Sequence, residues 1–160
     1  VALLLELARL AAPLKDQLGY ELRFVFFTGE EDGLIGSTYY VQNLTAGEKD
    51  RLAAVANLDM FAAAAGGEPR VYTSDGESNF ATNSIAVALS GYDLRLPAFL
   101  KEDRSDHAVF TAIGVPALMI AQSDDDTAYH SPADTIDALS MDYIDTACAW
   151  CMALILSAVD

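Results

Sequence analysis

Apolar positions recur at helical spacing over residues 1–18, where Ala and Leu dominate, and the pattern predicts an amphipathic helix ended by Gly19. A strand is expected over residues 21–28, a helix over 34–44, and a short helical turn opened by a capping box at Thr45-Ala-Gly-Glu48. Residues 52–60 read as a second buried strand ending at Asp59, and residues 62–69 as a loop of small residues. A short strand at 71–74 and a helix at 79–89 follow. Pro97 interrupts a strand over 94–100, which places that strand at a sheet edge. A helix over 105–113, a turn at Gly114-Val-Pro116, a buried strand over Ala117–Ala121 and a helix over 140–159 complete the pattern.

Strands that alternate with helices, several of them apolar runs without clean two-residue alternation, predict a largely parallel sheet covered on both faces. The expected fold class is α/β, a three-layer α/β/α sandwich with a largely parallel mixed sheet. No repeat or linker divides the chain, so residues 1–160 are read as part of one domain. Glu30, Glu31 and Asp59 each follow or end a buried strand, and in such folds ligands bind in the crevice outside the carboxyl ends of the strands.

Composition narrows the function classes. A 52% hydrophobic content over 160 residues gives one globular unit with a substantial core. The formal net charge of −15 leaves no basic stripe to neutralise phosphates, so nucleic acid is excluded as a partner. The apolar stretches at the two ends are shorter than the roughly 20 residues that cross a bilayer, so no membrane insertion is expected. The first has neither a basic n-region nor a cleavage site and does not read as a signal peptide. Because Val1 is not a start methionine and an apolar helix begins at once, the chain is expected to start inside a larger protein. Cys148 and Cys151, three apart in a helix, are expected to be buried thiols, and no second Cys-x-x-Cys supports a zinc site.

The chemistry centres on Glu30 and Glu31, side by side after Phe24-Val-Phe-Phe-Thr-Gly. Two readings stand. A cation offsets the adjacent carboxylates, one binding the metal while the other reaches a water on it; or both are solvated acids in the first turn of the next helix, where the dipole favours negative charge. His130, in the loop after the last buried strand, should reach the same end of the sheet. Glu31, Asp59 and His130 form an oxygen and nitrogen set suited to zinc, although each has a plainer role as a surface, hydrogen-bonded or capping residue. Asp106 and His107 head the 105–113 helix as groups behind the ligands or in the pocket wall, or as an N-terminal cap. Tyr129 is a donor to developing negative charge or a packed aromatic. The acids Asp124, Asp125 and Asp126 bind a cation such as calcium or form a solvated turn. No Gly-rich phosphate loop and no Gly-x-Ser-x-Gly elbow occurs.

Four ordered motifs carry a resemblance: Gly-Glu-Glu-Asp-Gly-Leu-Ile-Gly-Ser at 29–37, Asn57-Leu-Asp-Met60, Arg104-Ser-Asp-His107 with Phe110 and Gly114-Val-Pro-Ala117, and Tyr129-His-Ser-Pro-Ala-Asp-Thr135. With them the chain resembles the co-catalytic zinc aminopeptidases and glutamate carboxypeptidases, metallopeptidase family twenty-eight, from Phe24 to its C-terminus. The resemblance implies a zinc-dependent exopeptidase acting on peptides, secreted or periplasmic, in which Glu30 is the general base, Glu31 and His130 bind one zinc ion and Asp59 the other. Tyr129 would polarise the scissile carbonyl or stabilise its oxyanion. The family site holds two zinc ions and also takes a first His and a bridging Asp from a segment that would precede residue 1. Neither is present here, so the 160 residues alone are expected to hold at most one ion weakly and to lack useful peptidase activity. A glutaminyl cyclase and a non-catalytic binding module on the same fold are the alternatives; retention of Glu30, Glu31, Asp59 and His130 together argues against the second.

Overall fold

Strand β4 (Ala117–Ala121) is buried at every position, and the sheet is built around it. The structure is a computed structural model that describes residues 1–92, 99–122 and 128–157. Four strands, β1 (Val55–Leu58), β2 (Arg70–Thr73), β3 (Leu100–Lys101) and β4, lie in the order β1-β4-β2-β3. β1 runs parallel to β4 with Val55 opposite Ala117, β2 runs parallel to β3, and β2 pairs with β4 antiparallel with Val71 opposite Ile120. The mixed sheet agrees with the expected class.

Side chains of β4 alternate between two cores, as strand geometry requires. On one face, Leu118 and Ile120 join Val71 of β2 and residues of α1 (Ala2–Ala11), α4 (Phe80–Ser90) and α6 (Met141–Leu156). In α1 the buried positions Leu3, Leu7 and Ala11 fall four apart on a single stripe, the face it turns to the sheet. Ile85 and Leu89 of α4 are fully buried in the same cluster. On the opposite face, Ala117 meets Val41 of α2 (Ile35–Asn43), Phe110 of α5 (His107–Thr111) and Val115. Helices therefore cover both faces, and the three layers are in place.

Local chemistry sets the boundaries. Thr45 and Glu48 form the expected capping box at α3 (Ala46–Arg51), and Asn79 and Thr82 form another at α4. The Asn79 amide also donates to the Ala117 carbonyl, 2.9 Å away, fixing α4 to the start of β4. Ser140 caps α6.

Four expectations need correction. The first helix ends at Ala11 and tightens into a single 3-10 turn, Ala12–Leu14, because Pro13 has no N–H for a continuing helix. Residues 21–29 form no assigned strand among the described residues. They are held by Phe27 packing on Tyr40 and Phe110, and by the Ile35 and Gly36 N–H groups donating to Gly29 and Thr28 carbonyls. The 52–60 strand shortens to β1, and the 105–113 helix to α5. Of the strand expected over 94–100, residues 94–98 lie outside the described residues; β3 sits at a sheet edge as expected. Asp124, Asp125, Asp126 and the end of the last helix also lie outside them.

Truncating Ile85 to Ala should cost about 2–5 kcal/mol in denaturant unfolding, because a fully buried side chain leaves a cavity between α4 and the sheet. Val87→Ala, at a position 71% exposed on the same helix, should shift stability by no more than about 0.5 kcal/mol.

Candidate functional site

Parallel pairing of β1 with β4 points both strands the same way, so the segments that leave them emerge together. Asp59 follows β1 directly, its N–H donating to the Ile120 carbonyl at 3.1 Å, and the Gln122 N–H returns a bond to Met60 at 2.7 Å. Glu30 and Glu31 reach this end on a turn in which Gly33 and Leu34 donate to the Glu30 carbonyl. The two acids thus precede α2 rather than lying in its first turn. Gly33, at φ +99°, takes a conformation that an L side chain strains to reach. A side chain on Gly36 would stand 2.5 Å from the Thr28 carbonyl oxygen, so only glycine lets α2 start this close to the residues before Glu30.

Among the described residues, the non-glycine positions with positive φ are Leu34 (57°), Met60 (48°) and His130 (52°). One follows the Glu30–Glu31 turn, one follows Asp59, and the third is itself a predicted ligand. Such left-handed residues cost on the order of 1–3 kcal/mol each and persist where surrounding structure holds them.

Within the crevice, Glu31 Oε1 and His130 Nε2 meet at 2.6 Å, and the Tyr129 ring stacks on the His130 imidazole at 3.7 Å between centroids. Both partners are more than half exposed, so as a salt bridge the pair adds at most about 1 kcal/mol. Its interest is chemical. A carboxylate oxygen and an imidazole nitrogen that share one proton at this distance can share a metal cation instead. Asp59 is held separately: the Ser105 hydroxyl donates to its Oδ2 at 2.7 Å, and the Asn57 amide donates to Ser105 Oγ at 2.8 Å. Among the described residues no group of three His, Cys, Asp or Glu side chains stands close enough to hold an ion. Glu31 and His130 therefore converge, and Asp59 does not complete a three-ligand group with them.

Negative charge is crowded here. Partial burial raises the Glu30 carboxyl above the ordinary carboxylate range, and Asp59, Glu31 and Asp106 push it further up, while His130 pulls it back. Burial likewise raises Asp106, with the Ser37 hydroxyl offsetting part of the shift. Its Oδ1 has no hydrogen-bond partner, and its side chain makes no cap bond to α5, against the capping alternative. His107 is fully buried; its Nε2 stands 2.7 Å from the Glu102 carbonyl, which can only accept, so that nitrogen carries the proton. Burial lowers its pKa, and it braces the 102–106 segment from beneath. Desolvation, followed by the charges of Glu31, Glu30 and Asp59, raises the Tyr129 hydroxyl. Beside Glu31 and His130 opens a cavity of about 330 Å³ walled in part by Met60, Phe61, Ala63 and Leu139.

Sequence reasoning assigned no role to Asn57, Ser105 or Gln122. Asn57 and Ser105 lie inside the quoted motifs, and their adjacency to Asp59 and Asp106 was the available signal. Gln122 had none: its amide donates to Ala63 and Gly67 carbonyls from across the fold and fixes the cavity wall.

Residues 1–155 match the model of peptidase family M28. The chain belongs to this family. It is 30% identical over 153 residues to aminopeptidase YwaD of Bacillus subtilis strain 168, an alignment covering 91% of the chain and 33% of that protein. Among solved structures, the M28 chain superposes on an aminopeptidase from Aneurinibacillus sp. strain AM-1 with a TM-score of 0.91 and 37% identity, covering 99% of this chain and 38% of that one. BSAP, a zinc aminopeptidase from Bacillus subtilis, gives a TM-score of 0.88 at 31% identity, with 99% and 40% covered. The M28 chain thus spans between a third and two-fifths of the length of these relatives. A glutaminyl cyclase from Porphyromonas gingivalis, at 17% identity and a TM-score of 0.63, shares the fold alone.

Crowding makes a prediction for stability. Because the folded state raises the Glu30 pKa, stability falls as pH rises from about 4.3, the unfolded carboxyl value, through the folded one. Glu30→Gln should therefore stabilise the metal-free protein at pH 7.5 and lose that advantage at pH 4, measured by urea unfolding at both values. A gain of equal size at both would show that the charge of Glu30 is not its source.

Proposed function

We propose that the protein acts as a zinc-dependent exopeptidase that releases N-terminal residues from peptides, with Glu30 as general base and Glu31, His130 and Asp59 as the zinc ligands this chain supplies. The observation that carries the reading is the 2.6 Å approach of Glu31 to His130 beside Glu30. The donor set fits zinc in kind, oxygen and nitrogen without thiolate. Two of its members already converge, and Asp59 offers a further carboxylate at the same end of the sheet. A zinc ion held there would lower the pKa of a coordinated water from about 15.7 to about 7.

The residues divide the remaining work. Glu30 takes the proton of the attacking water and passes it to the departing amine. Tyr129, at the rim beside His130, donates its hydroxyl hydrogen to the carbonyl oxygen as negative charge develops there. The apolar wall formed by Met60, Phe61 and Leu139 suits an uncharged side chain on the residue being released. Asp106 and His107 act from behind this group, Asp106 by its charge and His107 by bracing the segment that carries Ser105.

The zinc aminopeptidase among the relatives supports the metal, and a further relative named a probable lipoprotein aminopeptidase supports a secreted or periplasmic setting. Among the described residues no helix is long and apolar enough to cross a membrane.

Two variants of the full-length protein separate ligation from proton transfer. Glu30→Gln should keep its zinc and lose about 10²–10⁴-fold in kcat on an aminoacyl anilide. Glu31→Ala should lose zinc, read by metal analysis after dialysis. Normal turnover in the first, or normal zinc content in the second, overturns the assignment of that residue.

A further inference from the structure

The run Ala62-Ala-Ala-Ala-Gly-Gly67 lies in the connection from β1 to β2 and has no side chain large enough to anchor it in a core. Its position is therefore set by what grips its backbone. Because β4 stands between β1 and β2, the connection must cross the carboxyl end of β4, and Gln122 is the residue that follows that end. The Gln122 N–H donates to the Met60 carbonyl at 2.7 Å, and its side-chain Nε2 donates to the carbonyls of Ala63, at 2.9 Å, and Gly67. Carbonyls only accept, so the amide must turn its NH2 group toward them, and both of its hydrogens are used. The Oε1 atom is left buried without a hydrogen-bond partner. A Cβ on Gly66 would stand 3.2 Å from Gln122 Cβ and Cδ, so glycine there lets the amide lie close against the loop.

On its other side the loop is held by main-chain bonds. The Ala64 N–H donates to the Ala138 carbonyl at 2.8 Å, and the Ser140 N–H to the Ala62 carbonyl at 2.7 Å. Ala62, Ala63, Ala138 and Leu139 all line the cavity beside Glu31 and His130. The cavity wall is thus a loop of small residues clamped between Gln122 and residues 138–140. Gln122 is 5% exposed, so water does not readily replace its amide.

We infer that Gln122 is a positioning residue that sets the width of this cavity, and with it the preference for a large apolar over a small side chain on the residue released. This deepens the exopeptidase reading and rests on it, since there the cavity takes that side chain. A wall held at a fixed distance contacts a leucyl side chain along its length and an alanyl methyl hardly at all. Freeing the loop removes contacts that only the larger side chain makes, so the loss falls on its KM.

The test measures kcat and KM of the zinc-loaded full-length protein on leucyl and alanyl anilides. Gln122→Met, which keeps the length and lacks the donors, should lower the leucyl-over-alanyl ratio of kcat/KM by about 10-fold, with kcat within about 3-fold of wild type. Gly66→Ala, which crowds the amide, should shift the ratio the same way by a smaller factor. Gln122→Glu supplies a donor only when its carboxyl is protonated, so its ratio should recover toward the wild-type value at pH 6 relative to pH 8.5. Titrations of catalytic groups common to both substrates cancel in the ratio, and the wild-type ratio should be flat over that range. An unchanged ratio in folded Gln122→Met overturns the inference, whether or not both rates fall, and so does a reduced, pH-independent ratio in Gln122→Glu. If Gln122→Met does not fold, Gly66→Ala and Gln122→Glu decide on the same ratio. Wild-type protein that hydrolyses neither anilide refutes the exopeptidase reading instead, which keeps the two failures distinct.

Discussion

Like-charge crowding at the carboxyl end of the sheet is the constraint that organises this structure. Glu30–Glu31, Asp59 and Asp106 come from three segments far apart in sequence, and burial, with the neighbouring acids adding to it, raises the Glu30 and Asp106 carboxyls. Desolvating carboxylates costs free energy unless each finds a partner. Asp59 finds the Ser105 hydroxyl and Glu31 finds His130, while one oxygen of Asp106 has no partner. A fold selected only for stability would disperse these acids. One that binds a divalent cation gains from keeping them together.

The scaffold around the acids is correspondingly fixed. The fully buried β4 supplies both cores and sets the direction of β1, which delivers Asp59. Among the described residues, Leu34, Met60 and His130 adopt left-handed backbone conformations beside the candidate site, while α4 and α6 on the sheet carry side-chain caps from Asn79 and Ser140. The regular elements lie in the layers, and the left-handed residues lie beside the side chains of the candidate site.

The sequence reveals most where a signal is local. The capping box at Thr45, a helix at 79–89, observed as Phe80–Ser90, and the all-apolar β4 follow from spacing and residue type. Residues 21–29 show the limit. Their apolar composition reads as a strand, but a strand is a pairing, and no local pattern states whether a partner is at hand. At the site, the strand expected to lead into Glu30–Glu31 is not assigned, whereas the position of Asp59 directly after a strand was legible. Ser105 was not, since its contact with Asp59 spans 46 residues and a serine before a short helix reads as an ordinary cap. The close approach of Glu31 to His130, 99 residues apart, also depends wholly on tertiary docking.

The central claim is that this end of the sheet is a zinc site. Anomalous diffraction at the zinc edge, from crystals of the full-length protein grown with zinc, tests it most directly. The account predicts a strong peak about 2.0–2.2 Å from a Glu31 carboxylate oxygen and from His130 Nε2, with the direct bond between those two side chains replaced by the metal. Zinc bound elsewhere while Glu31 and His130 remain hydrogen-bonded to each other would contradict it.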